Sequence, residues 1–209
     1  MITNMMKQPS TTFARRRSSR AAWLFLCAAL CVCAGRVADA TGEPPRPAEG
    51  EAKVTTVFLV RHAEKANEPG PDPPLSEAGK QRAEALARLL QSAGVKGIYT
   101  SQFQRTRLTA EPLAKRLGVT ADPVPLSVKP SNPREVSDES IRELTKKVEA
   151  HAGGAVLIVG HSNSVPEVIR MLGGDTVPKI DESKFDDLFV VTVYAPGRAK
   201  VVHLKYGAP

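Results

Sequence analysis

Apolar and polar positions fall into blocks of two kinds along the chain. Val57-Phe58-Leu59-Val60 and Ala155-Val156-Leu157-Ile158-Val159-Gly160 are uninterrupted apolar runs whose length and β-branched character suit strands buried on both faces. Between them the period becomes helical: Ala83, Leu86, Ala87 and Leu90 recur along a helix that Ser76 opens as N-cap and Gly94 closes. Val95 to Tyr99 predicts a second strand, followed by a helix that runs to about Leu117 and stops at Gly118. Ala121 to Leu126, broken by prolines, predicts a short third strand, Ser127 to Ser137 an irregular loop, and Asp138 to His151 a helix with Ile141, Leu144 and Val148 on one face. After the run ending at Gly160 a helix extends through Leu172. Leu188 to Tyr194 and Ala199 to Lys205, joined by Pro196-Gly197, predict an antiparallel pair at a sheet edge. Strands alternating with helices imply an α/β fold: a three-layer α/β/α sandwich with a mainly parallel central sheet.

The first forty residues follow another pattern. Arg15-Arg16-Arg17 and Arg20 form a basic n-region, Ala21 to Ala34 an apolar h-region, and Ala38-Asp39-Ala40 an A-x-A cleavage signal. Residues 1–40 therefore read as a secretory signal peptide, and the protein as exported, periplasmic or secreted. The apolar run is short for a bilayer span; an uncleaved N-terminal tether, which would be the chain's one membrane contact, is the alternative. Residues 41–53, with Pro44, Pro45 and Pro47 among glycines and glutamates, read as a disordered linker, and 54–209 as the folded domain.

Composition changes meaning once that segment is set apart. All three cysteines, Cys27, Cys31 and Cys33, lie in the h-region, so the domain has no disulfide framework, thiolate metal site or cysteine nucleophile. The whole chain carries 29 basic and 22 acidic residues, but residues 1–40 hold six and one of these, which leaves 23 against 21. A nearly neutral domain gives no basis for nucleic-acid binding. The oligomeric state leaves no mark in the sequence.

The chemistry gathers at the carboxyl ends of the strands, where open α/β sheets bind ligands. The first strand delivers Arg61 and His62, the second Ser101 and Arg105, and the run ending at Gly160 delivers His161. Two guanidiniums can grip a tetrahedral dianion, and helix N-termini beside Arg105 and His161 add backbone N–H donors. Imidazole in such a pocket can attack phosphorus and form a phosphohistidine that water resolves.

Arg61-His62 after a hydrophobic strand, Leu75-Ser76-Glu77-Ala78-Gly79, Thr100-Ser101 followed by Arg105-Thr106 and Thr109-Ala110, and Gly160-His161 resemble, in order, the motifs of the histidine phosphatase superfamily with its phosphoglycerate-mutase-like fold. The resemblance spans roughly residues 56–172. It implies a phosphatase acting on a small phosphorylated substrate, with His62 as the phosphorylated nucleophile, Arg61, Arg105 and His161 as the phosphate-binding shell, and no metal or organic cofactor. The sequence departs from the family at the general acid: where many members carry a glutamate after the third strand, this chain has Pro125-Leu126-Ser127-Val128-Lys129-Pro130. Glu64, Glu135, Asp138 and Glu139 are the candidates, and a missing acid would favour substrates with good leaving groups.

Two other functional classes fit the same residues. A metal-dependent hydrolase would use His62, Glu64 and His161 as ligands, and a silent phosphate-binding module would keep the pocket without turnover. His151 and His203 read as structural or solvent-facing, Arg107 as a surface residue, Asn67 as too loosely spaced from His62 to place, and Asp181, Glu182, Asp186 and Asp187 as an acidic patch that could bind a cation but reads better as a solvated loop.

Overall fold

In the computed structural model, which describes residues 53–207, the two apolar runs lie side by side at the centre of a six-stranded sheet. The elements are β1 (Thr55–Arg61), α1 (Glu77–Leu90), β2 (Val95–Thr100), α2 (Gln104–Leu117), β3 (Ala121–Pro123), β4 (Val128–Lys129), β5 (Asn132–Val136), α3 (Asp138–Glu149), β6 (Ala155–Gly160), α4 (Ser164–Met171), β7 (Asp187–Ala195) and β8 (Arg198–Lys205). The sheet order is β3-β2-β6-β1-β7-β8. β1, β2, β3 and β6 are mutually parallel, while β7 runs antiparallel to β1 and β8 to β7. The signal-peptide and linker readings lie outside the described residues, apart from Lys53. Among the described residues no helix is long and apolar enough to cross a membrane.

Alternation along the central strands makes the three layers. Val57 and Leu59 of β1, with Val156 and Ile158 of β6, pack under Ile141, Leu144 and Val148 of α3 and Val165, Val168 and Ile169 of α4. Val60, Leu157 and Val159 point the other way, onto Leu86, Ala87 and Leu90 of α1 and Leu113 of α2. Both faces of β1 and β6 are covered, which is why their sequences are continuously apolar rather than alternating.

Two of the three predicted caps are present, while α1 stops at Leu90 with Gln91 as its C-cap, ahead of Gly94. Ser76 accepts the Gly79 N–H at 3.1 Å to start α1, and Gly118 closes α2 in the left-handed region at φ 65°. Two further expectations need correction. The third strand ends at Pro123: the Val124 N–H still donates to the Thr100 carbonyl at 2.8 Å, but β2 stops there and Pro125 has no N–H to continue, so the strand is shorter than 121–126. The segment 127–137 is not irregular: it holds the antiparallel hairpin β4–β5, with Val128 opposite Val136 and Lys129 opposite Asn132. Val136 alone of its strand is buried, so the segment lacks the apolar run that marks the other strands.

Candidate active site

β1 and β6 are in register so that Arg61 stands beside Gly160, and the next residue of each chain segment is a histidine. The His62 and His161 rings meet edge-on with centroids 5.3 Å apart. They form the floor of a cavity of about 830 Å³ that Arg61, Arg105 and Phe103 also line.

His62 is 5% exposed, and its Nδ1 lies 2.8 Å from the carbonyl of Ala63. The peptide before it is fixed as well: the Ala63 N–H donates to Thr109 Oγ1 at 2.9 Å and that hydroxyl donates to the Arg105 carbonyl at 2.7 Å. α2 thus steadies the turn that aims the imidazole. Burial, reinforced by the charges of Arg61, Arg105 and Lys65, lowers the His62 pKa to about 4, against the pull of its hydrogen bond to Ala63. His161 is lowered to about 3 by burial and then by His62, Arg105 and Arg61.

His161 is held by side chains. Its Nε2 lies 2.9 Å from Ser101 Oγ, which lies 3.0 Å from Thr106 Oγ1. Its backbone N–H donates to Ser164 Oγ at 2.8 Å, and Gly160 leaves room for that turn: a Cβ there would stand 2.6 Å from the hydroxyl. The helix-end N–H of His161 is therefore taken up by the turn itself.

The two arginines are anchored differently. Arg61 Nη1 donates to the carbonyls of Asp181, Glu182 and Lys184 at 3.0, 2.7 and 3.1 Å, and Nη2 donates to the Glu182 carboxylate at 2.9 Å. Phe185 stacks on the guanidinium with the ring centroid 4.3 Å away, and Nε is buried without a hydrogen-bond partner. Arg105 lies over Phe103 at 4.2 Å and pairs with Asp72 at 3.3 Å. Asp72 also accepts the Gln104 N–H at 3.0 and 3.1 Å. The start of α2 is thus capped by a carboxylate from the proline-rich loop, instead of offering that N–H to a ligand as the sequence suggested.

Arg61, His62, Arg105 and His161 are brought together as expected, but Glu64 and Ser101 are not part of that wall. Glu64 turns toward α1, where Arg82 Nε reaches its two oxygens at 2.8 and 3.0 Å; its carbonyl accepts the Ser76 N–H at 2.9 Å. Gly79 lets α1 approach so closely that a Cβ would stand 2.1 Å from that carbonyl. Ser101 is 2% exposed and sits behind His161, so it positions the ring and does not face the cavity. The metal set of His62, Glu64 and His161 is consequently not assembled. Among the described residues, no group of three or more His, Cys, Asp or Glu is arranged to hold a metal ion.

Of the other candidate acids, Glu135 lines the cavity and pairs with Lys129, Asp138 pairs with the same lysine, and Glu139 pairs with Arg142. His151 bonds Tyr99 through Nε2 at 2.7 Å, and His203 stacks on Phe189 beside Asp187. Arg107 and Asn67 are exposed. The acidic segment is not simply solvated: it encloses Arg61, and Asp187 is 6% exposed between Lys205 and His203. Sequence reasoning missed Asp72, Thr109 as a positioning group, and the carbonyls of 181–184. Only the Thr109-Ala110 motif offered a signal for any of them.

The model of the histidine phosphatase superfamily (branch 1) matches residues 57–130. No curated protein matches the sequence. Among solved structures, the protein histidine phosphatase SixA in complex with tungstate is 18% identical at a TM-score of 0.57, covering 72% of this chain and 96% of its own. Phosphoglycerate mutase from Bacillus anthracis is 19% identical at 0.59, with 75% and 95% covered. A mycobacterial glucosyl-3-phosphoglycerate phosphatase is 15% identical at 0.57, with 74% and 100% covered.

Proposed function

The chain belongs to the histidine phosphatase superfamily, and we propose that it is a phosphatase working through a covalent phosphohistidine on His62. The observation that carries this reading is the 2.8 Å contact between His62 Nδ1 and the Ala63 carbonyl. A carbonyl only accepts, so in the neutral ring the proton is on Nδ1 and the lone pair is on Nε2. With its pKa near 4, the ring is in that nucleophilic form at neutral pH.

In the proposed reaction Nε2 attacks phosphorus, the N–P bond forms as the P–O bond breaks, and the leaving oxygen departs with the electron pair. Arg61 and Arg105 face the phosphoryl oxygens as charge shifts across them. Water then attacks the phosphohistidine, the N–P electrons return to the imidazole, and inorganic phosphate leaves as the attacking water gives its proton to solvent.

An alkoxide leaving group needs a proton, and among the described residues each carboxylate that lines the cavity is paired with a cation. Glu135 pairs with Lys129, Glu167 with Arg170, and Glu182 with Arg61. This pairing favours substrates whose leaving group departs unprotonated: aryl and acyl phosphates, pyrophosphates or phosphohistidine. The names of SixA and the mycobacterial phosphatase support the general class.

The test is hydrolysis of an aryl and an alkyl phosphate by the full-length protein with chelator present, together with trapping of phosphoenzyme by an alkaline denaturing quench. Chelator-resistant turnover of the aryl ester, with an acid-labile, base-stable phosphate that His62→Ala lacks, is expected. Undiminished turnover in His62→Ala would sink the mechanism.

A further inference from the structure

The guanidinium of Arg61 has one edge turned away from its anchors. Three carbonyls saturate Nη1, so the group cannot present that nitrogen to a ligand. A tetrahedral anion would take the Nε–Nη2 edge, which matches two oxygens side by side. On that edge Nε is buried without a partner in a residue 4% exposed, a costly state for a charged donor. Nη2 is occupied by Glu182 Oε2 at 2.9 Å.

Glu182 differs from the group it covers. Its side chain is 76% exposed, whereas that of Arg61 is 5% exposed. Its other oxygen accepts from Ser162 Oγ at 2.6 Å, and that hydrogen bond, with the charge of Arg61, holds its pKa below the usual carboxylate range against the opposing effect of burial. The carboxylate is thus a charged acceptor lodged beside an unfilled donor, tethered by one serine and free to swing into solvent.

We propose that Glu182 is a specificity-determining competitor for the anion site. Its carboxylate occupies half of the Arg61 edge that a phosphoryl group takes, and substrate binding displaces it. The inference rests on the phosphate reading of the pocket. Displacement leaves Arg61 in place, because the carbonyls of 181, 182 and 184 hold Nη1 independently of the Glu182 side chain. The consequence is selection against weak anions. A ligand must displace a carboxylate from Nη2 as well as fill Nε, so a phosphate dianion, which carries more charge than the group it replaces, succeeds where a singly charged carboxylate gains little by the exchange.

The experiment is calorimetric titration of the full-length protein, Glu182→Gln and Ser162→Ala with inorganic phosphate and with acetate at neutral pH. Glu182→Gln should bind phosphate about five- to tenfold more tightly and lose much of its discrimination against acetate. Ser162→Ala should shift both in the same direction by a smaller factor, since it loosens the competitor without touching Arg61. Phosphate affinity unchanged or weakened in Glu182→Gln would overturn the proposal and make Glu182 a support for the arginine. Because binding is read directly, tightened affinity in a protein that hydrolyses nothing would leave this inference standing while the phosphatase reading fell. Normal turnover with unaltered affinities would do the reverse.

Discussion

Arg61 and His62 reach the cavity from the end of β1, at 4% and 5% exposure, the turn at His62 held by the buried Thr109 of α2 and the Arg61 guanidinium by the backbone carbonyls of the segment 181–184. Lys129, Arg134 and Glu135 reach the same cavity from the β4–β5 hairpin, where Lys129 and Glu135 pair at 3.3 Å and the backbone of Arg134 is tied to Asn163. One wall is fixed by the sheet and the other is assembled from exposed side chains. Reaction chemistry needs sub-ångström placement, which a buried strand end provides, whereas a rim of solvated charges can vary without disturbing the fold. The contrast implies that substitutions at the inner wall change the reaction and those at the rim change what is accepted.

The sharpest way to break that contrast is His62→Ala, expected to lower kcat/KM on an aryl phosphate by at least about 10³-fold, as loss of a nucleophile does. A comparable loss from a hairpin substitution would erase the distinction. Arg105→Ala should cost about 10²–10³-fold, the range for removing one fixed donor to a developing charge, measured in the same assay. The pH profile comes next. For kcat/KM the acidic limb should lie near pH 4, because burial and neighbouring cations place His62 there. An imidazole of ordinary pKa would already have lost about thirtyfold by pH 5. A limb near pH 6.5 would mean that the floor of the cavity is wetter than its geometry implies.

Ser101→Ala should lower turnover about tenfold by freeing the His161 ring, the worth of one net hydrogen bond of about 1.4 kcal/mol; Ser101→Thr, which keeps the hydroxyl, should restore part of the loss. Smallest of all, Glu135→Gln should leave a small aryl phosphate within about threefold of wild type, since an exposed ion pair contributes little. A large fall at Glu135 would instead identify it as the proton donor.

The two walls were also unequally legible in the sequence. Val57 to Val60 stops abruptly at Arg61-His62, and Ala155 to Gly160 at His161, because a strand buried on both faces can carry polar groups only where it leaves the sheet. Those two breaks, with Arg105 past Thr100, were enough to find the inner wall. The β4–β5 hairpin was invisible, because β4 has only two residues and β5 is mostly exposed. Glu64 looked suitable by its closeness to His62 in sequence, yet the turn that aims His62 carries the Glu64 side chain to Arg82. Asp72 and the carbonyls of 181–184 gave no signal, since backbone oxygens have no residue type and a lone aspartate among prolines reads as a turn.

The enclosure of Arg61 by residues 181–184 also has a consequence for when the site comes into being. These contacts join positions 120 to 123 residues apart. During synthesis β1 emerges early, but its guanidinium has no fixed place until the segment before β7 has been made and has folded back over it. On the proposed reading of the pocket, phosphate affinity should arise only after this segment has docked, and its appearance in a time course of refolding would mark that step.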